Sequence, residues 1–105
     1  MPYSKDFRMP TPLRVLHVED DPVDIEYITS ILEEAGIALE WQAVDDEPGL
    51  CATLERDLPD IVLSDLSMPG FSGYRALEIV RQQSPYLPFI FVSGTMGEET
   101  AVQAL

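Results

Sequence analysis

Apolar positions gather into four short runs: Leu13–Val18, Leu39–Val44, Ile61–Leu63 leading into Ser64 and Asp65, and Phe89–Val92 leading into Ser93. The first, third and fourth are nearly continuous in Val, Ile, Leu and Phe, the pattern of central parallel strands covered on both faces. The second alternates, with Leu39, Trp41 and Ala43 set against Glu40 and Gln42, as an edge strand does.

Between the runs the spacing becomes helical. Val23, Tyr27 and Ile31, with Ile28, Leu32 and Ala35, form one stripe. Asp21 suits its N-cap, Pro22 its first turn and Gly36 its end. Leu50, Leu54 and Leu58 at i, i+4, i+8 predict a second helix opened by Pro48. Leu77 and Val80, flanked by Tyr74 and Arg81, mark a third. A fourth is expected from near Glu98 to Leu105. The prolines from Pro22 onward fall between these segments and punctuate them.

Residues 1–12 hold Pro2, Pro10 and Pro12 and show no periodicity, so they read as a disordered or extended leader, with one domain over 13–105. The β-α alternation predicts an α/β fold: a parallel sheet with right-handed crossovers and helices on both faces. Ligands of such sheets bind beyond the carboxyl ends of the strands.

Composition narrows the chemistry. The net charge is −13 over 105 residues, which argues against contact with nucleic acid or an anionic membrane. The 46% hydrophobic content is too high for a disordered acidic tail. One cysteine, Cys51, and one histidine, His17, exclude an intrachain disulfide and a Cys- or His-rich metal site. No apolar run approaches a membrane span, and a cytoplasmic location is expected.

The strand ends carry the remaining signal. The first ends in Glu19-Asp20-Asp21, the third in Asp65, the fourth in Ser93-Gly94-Thr95. If the first and third strands are neighbours, Glu19, Asp20 and Asp65 converge, and their repulsion favours protonation unless a cation neutralises the cluster. A hard oxygen donor set of this size suits Mg²⁺. Hydroxyl and amide donors opposite the acids add an anion site, and the combination points to phosphoryl chemistry. Read locally, Asp21 and Asp24 serve the helix start, and His17 is a packed strand residue.

The segments VLHVEDDP at 15–22, PDIVLSDLSMPGFSG at 59–73 and PFIFVSGT at 88–95 together resemble the receiver domain of two-component response regulators. The resemblance implies a flavodoxin-like sheet of order 2-1-3-4, with the family's fifth strand missing, and a phosphoacceptor role for Asp65. It implies Mg²⁺ held by Glu19, Asp20, Asp65 and the backbone carbonyl of Ser67. Ser93 matches the switch hydroxyl, and the amides of Leu66 and Gly94 match phosphoryl contacts. The Ser67 and Thr95 side chains fall where the family tunes dephosphorylation. Met68-Pro69-Gly70 would shape the loop over the site, and Gly73 the turn into the third helix. The phosphoryl donor would be a sensor histidine kinase or a histidine phosphotransfer protein, and the domain would catalyse at most its own phosphorylation and dephosphorylation.

The sequence departs from the family in one respect. A lysine is expected at the end of the fifth strand, and the only lysine is Lys5. The resemblance therefore implies a receiver truncated before its fifth strand and helix, with an open fourth-strand edge available for a homodimer. A receiver-like binding module that works without phosphorylation is the alternative. A haloacid-dehalogenase-like phosphatase would want aspartate where Ser67 stands. A dinucleotide-binding domain would want a glycine-rich turn where Glu19-Asp20-Asp21-Pro22 stands.

Overall fold

The structure is a computed structural model that describes residues 11–93 and 100–104. Its elements run β1 (Leu13–Val18), α1 (Pro22–Glu34), β2 (Leu39–Val44), α2 (Glu47–Arg56), β3 (Ile61–Ser64), β4 (Ser67–Met68), β5 (Phe71–Ser72), α3 (Gly73–Gln83), β6 (Phe89–Ser93) and β7 (Thr100–Ala104). The main sheet has the order β2-β1-β3-β6-β7. The first four of these strands are parallel, in the predicted order, with the alternating β2 at the edge.

Short polar side chains start each helix. Asp21 accepts a hydrogen bond from the Val23 amide at 2.9 Å, and Pro22 occupies the first turn. Asp46 accepts from the Gly49 amide at 2.8 Å, and Ser72 from the Tyr74 amide at 3.0 Å. Each bond satisfies an amide that the helix itself leaves unpaired.

One face of the sheet is well packed. Leu16, Val18, Val62, Phe89 and Phe91 lie in one buried cluster with Leu50 and Leu54 of α2 and Ala76, Ile79 and Val80 of α3. Burying each large side chain here contributes roughly 1.5–3 kcal/mol. The other face is more open. The apolar stripe predicted on α1 is present, yet no α1 residue is fully buried, and Val23 is 68% exposed. Leu13, Val15, Ile28, Leu32, Leu63 and Val92 line an open apolar groove of about 310 Å³ there. Among the described residues two helices cover the first face and α1 alone covers the second. Leu58, expected within the second helix, lies past the end of α2 and is exposed.

The C-terminal expectation is also corrected. In place of a helix from Glu98, residues Thr100–Ala104 form β7, antiparallel to β6, with Ser93 opposite Thr100 and Phe89 opposite Ala104. The edge of β6 offers a row of unpaired N–H and C=O groups, and the returning chain pairs with them. Thr100 and Val102 are β-branched residues, a type common in strands. An antiparallel strand thus occupies the edge beside β6, while the parallel part of the sheet keeps the expected order of four strands. The β6 edge proposed for homodimerisation is paired within the chain.

Candidate active site

The acids meet because two strands end level. Parallel β1 and β3 set Val18 beside Ser64. The Asp65 amide donates to the Val18 carbonyl at 3.0 Å, and the Glu19 amide to the Val44 carbonyl at 2.9 Å. One carboxylate oxygen from each of Glu19, Asp20 and Asp65 then lies within 4.8 Å of the others. The predicted convergence is realised, with Glu19 5% and Asp65 8% exposed.

The loop after β3 is shaped by two glycines. Pro69 and Gly70 join β4 to β5, and Gly70 adopts a φ of 73° that L side chains disfavour. Gly73 opens α3 against the Asp65–Leu66 backbone, where an added Cβ would collide with the Asp65 carbonyl oxygen. The Gly73 amide donates to the Leu66 carbonyl at 2.9 Å, which ties α3 to the site.

Both buried carboxyls are pushed toward protonation. Glu19 is raised to about 7, first by burial and then by the charges of Asp65 and Asp24, against the Asp21 amide that lowers it. Asp65 is raised by burial and by the charges of Asp24 and Asp20, while the Leu66 and Ser67 amides pull it down. A cluster of hard oxygens whose own repulsion favours protonation is the donor set a small divalent cation fits. Asp24, read from sequence only as a helix-start residue, contributes to this field. Its position in the first turn of the helix that follows Glu19-Asp20 was the available signal.

The remaining predicted positions are less uniform. The Leu66 amide donates to Asp65 Oδ1 at 2.9 Å, so in this state it holds the carboxylate. Ser67 is exposed at the start of β4. Ser93 ends β6, the strand paired with β3; its hydroxyl lies outside the described side chains, and Gly94 and Thr95 lie outside the described residues. His17 is buried as expected, at 1% exposure. Burial lowers its pKa to about 4, so the ring is neutral.

The geometry has counterparts among known proteins. The sequence pattern of the response regulator receiver domain matches residues 15–105. The response regulator protein FleR of Pseudomonas aeruginosa is 33% identical over 92 residues, covering 88% of this chain and 19% of that protein. Transcription factor SKN7 of Saccharomyces cerevisiae is 34% identical over 91 residues, covering 87% of this chain and 14% of that protein. The chain thus spans a fifth or less of the length of these two relatives. The receiver domain of the sensor histidine kinase PA1611 from Pseudomonas aeruginosa PAO1, solved with magnesium in its active site cleft, superposes with a TM-score of 0.68. It is 28% identical, and the match covers 81% of this chain and 70% of that one. Chemotaxis response regulator CheY4 of Vibrio cholerae gives a TM-score of 0.65 at 25% identity, over 77% of this chain and 68% of that one. With the family's sequence pattern matched over residues 15–105, this chain belongs to the response regulator receiver domain family.

Proposed function

We propose that the chain is a phosphoacceptor whose nucleophile is Asp65, serving a sensor histidine kinase or a histidine phosphotransfer protein in the cytoplasm. The observation that carries this is the meeting of Glu19, Asp20 and Asp65 at the ends of β1 and β3. Glu19, Asp20, Asp65 and the Ser67 carbonyl would hold Mg²⁺, as the magnesium-bound receiver domain of PA1611 supports by likeness. Bound there, the cation would offset the negative charge gathered by the carboxylates and the incoming phosphoryl oxygens.

An Asp65 carboxylate oxygen attacks phosphorus in line, the P–N bond to the donor histidine breaks, and the imidazole leaves. The Leu66 amide releases Asp65 Oδ1 and, with the Gly94 amide, donates to the phosphoryl group. Ser93 supplies the switch hydroxyl, and the Ser67 and Thr95 side chains set the access of hydrolytic water. The domain spans 13–105, preceded by the leader, and acts as a signalling module whose only chemistry is its own phosphorylation and dephosphorylation. Among the described residues no helix is long and apolar enough to cross a membrane.

The test is incubation with Mg²⁺ and a small acyl phosphate, followed by intact mass and peptide mapping. A single phosphoryl group on Asp65, absent without Mg²⁺ and absent in Asp65→Asn, is the expected result. Unmodified protein with a well-dispersed NMR spectrum would overturn the reading in favour of a phosphorylation-independent binding module.

A further inference from the structure

Two buried polar atoms behind the acid cluster have no hydrogen-bond partner: His17 Nδ1 and Trp41 Nε1. Leaving such a group unpaired costs roughly 1–3 kcal/mol, so two in one place call for an account. Their rings pack edge to face, with centroids 5.3 Å apart and planes at 85°. This follows from the sheet: Val15 pairs with Trp41 and His17 with Ala43, so His17 and Trp41 are diagonal neighbours on one face. The other ring nitrogen, His17 Nε2, faces Glu19, 4.0 Å from Oε1. The second Glu19 oxygen, Oε2, accepts from the amides of Asp20 and Asp21 at 3.2 Å each.

The needs of the two orphaned atoms are complementary. An indole N–H only donates, and a neutral imidazole carries one donor and one acceptor. If Nδ1 is the acceptor, Trp41 can satisfy it directly or through one buried water, and the proton then resides on Nε2, facing Glu19. We infer that Trp41 and His17 form a positioning relay for Glu19: Trp41 fixes the imidazole tautomer, and His17 presents its Nε2–H to Glu19 Oε1. The inference rests on the reading of Glu19 as part of the Mg²⁺ site.

The relay gives Glu19 donors on both oxygens. The Asp20 and Asp21 amides hold Oε2, and a small rotation of the Glu19 side chain brings Oε1 into bonding range of Nε2. A carboxylate bonded on both sides keeps its aim in a buried site, which is what outer-shell partners do for metal ligands generally. The arrangement gives a strand-centre histidine a task that packing alone does not require, since Leu would fill the same space without an unpaired nitrogen.

The first measurement is the long-range ¹H–¹⁵N NMR spectrum of the His17 ring in the Mg²⁺-free protein. The Nε2–H tautomer is expected; an Nδ1–H tautomer overturns the inference whatever the metal does. The second compares His17→Leu with wild type. Mg²⁺ affinity should fall about tenfold while thermal stability stays level or rises. Loss of stability with unchanged Mg²⁺ affinity would reduce His17 to packing and overturn the proposal. Trp41→Phe keeps an aromatic ring but removes the donor; it should mix the tautomers of His17 and weaken Mg²⁺ by a smaller factor. Failure of the wild-type protein to bind Mg²⁺ at all would sink the phosphoacceptor reading instead, and the tautomer would still decide the relay.

Discussion

The Asp65 amide donates to the Val18 carbonyl across 3.0 Å, and this bond places the candidate nucleophile against the Glu19-Asp20 pair. It continues the β1–β3 ladder one residue beyond the paired strands. The acids are therefore held by main chain at the carboxyl ends of two interior strands, so their repulsion is not readily relieved by backbone drift. Protonation or a cation must offset it.

The pH dependence of stability follows from two groups of opposite sign. Glu19 has a folded pKa of about 7 against 4.5 for the free side chain. Between those values the folded state holds a proton that the unfolded chain has released, so stability falls as pH rises. His17 has a folded pKa of about 4 against 6.5. Over that window the unfolded chain holds the extra proton, so its contribution is lost as pH falls. The two slopes oppose each other from pH 4.5 to 6.5. Urea titrations across pH should separate them in Mg²⁺-free protein: His17→Leu should lose stability steadily from pH 4.5 to 7, and Glu19→Gln should gain it up to 6.5. Parallel profiles for the two variants would contradict the assignment.

Asp65→Asn should abolish acyl-phosphate labelling and weaken Mg²⁺ binding while making the Mg²⁺-free protein more stable. Removing one buried, crowded charge is worth on the order of 1 kcal/mol, or about 4–8 °C in Tm. A lower Tm in scanning calorimetry would show that the carboxylates are not in conflict.

Asp24→Asn should act at a distance. Its charge raises both Glu19 and Asp65, so its loss should move both titrations to lower pH, visible in side-chain carboxyl NMR shifts. Unmoved titrations would show that Asp24 serves the start of α1 alone.

Gly73→Ala and Gly70→Ala should differ in kind. At Gly73 the new methyl meets the Asp65 carbonyl oxygen and the Leu66 backbone. The α3 start must shift, at a cost of roughly 1–3 kcal/mol, with Mg²⁺ affinity reduced as the site moves. At Gly70 nothing lies within 4 Å and only the positive φ is strained, which costs about 1–2 kcal/mol. Urea denaturation gives the stabilities and Mg²⁺ titration the site; equal loss of Mg²⁺ affinity in both would refute the distinction.

The two faces of the sheet should respond unequally to truncation. Leu50→Ala opens a cavity in the packed layer and should cost about 2–5 kcal/mol. Val23→Ser, at an exposed α1 position, should stay within about 0.5 kcal/mol. Comparable losses in chemical denaturation would mean that the α1 face is packed in solution.

The sequence alone determined the strands β1, β2, β3 and β6, the three helices, the helix-start role of Asp21 and the gathering of acids at strand ends. Each rests on local physics: continuous or alternating apolar runs, a short side chain that satisfies free amides, proline between elements. Tertiary structure decided the rest. The stripe on α1 has a clean period, but how deeply it sinks depends on how many helices share its face of the sheet. Residues 100–104 carry no decisive local preference, and the unpaired edge of β6 made them a strand. His17 and Trp41 stand far apart in sequence, and only strand register joins them behind Glu19. The charge of Asp24 on Glu19 and Asp65 is likewise a matter of distance through space, which no residue pattern encodes. Periodicity records what a residue does for its own element; burial depth, edge pairing and the field at a site are sums over elements that meet only when the chain folds.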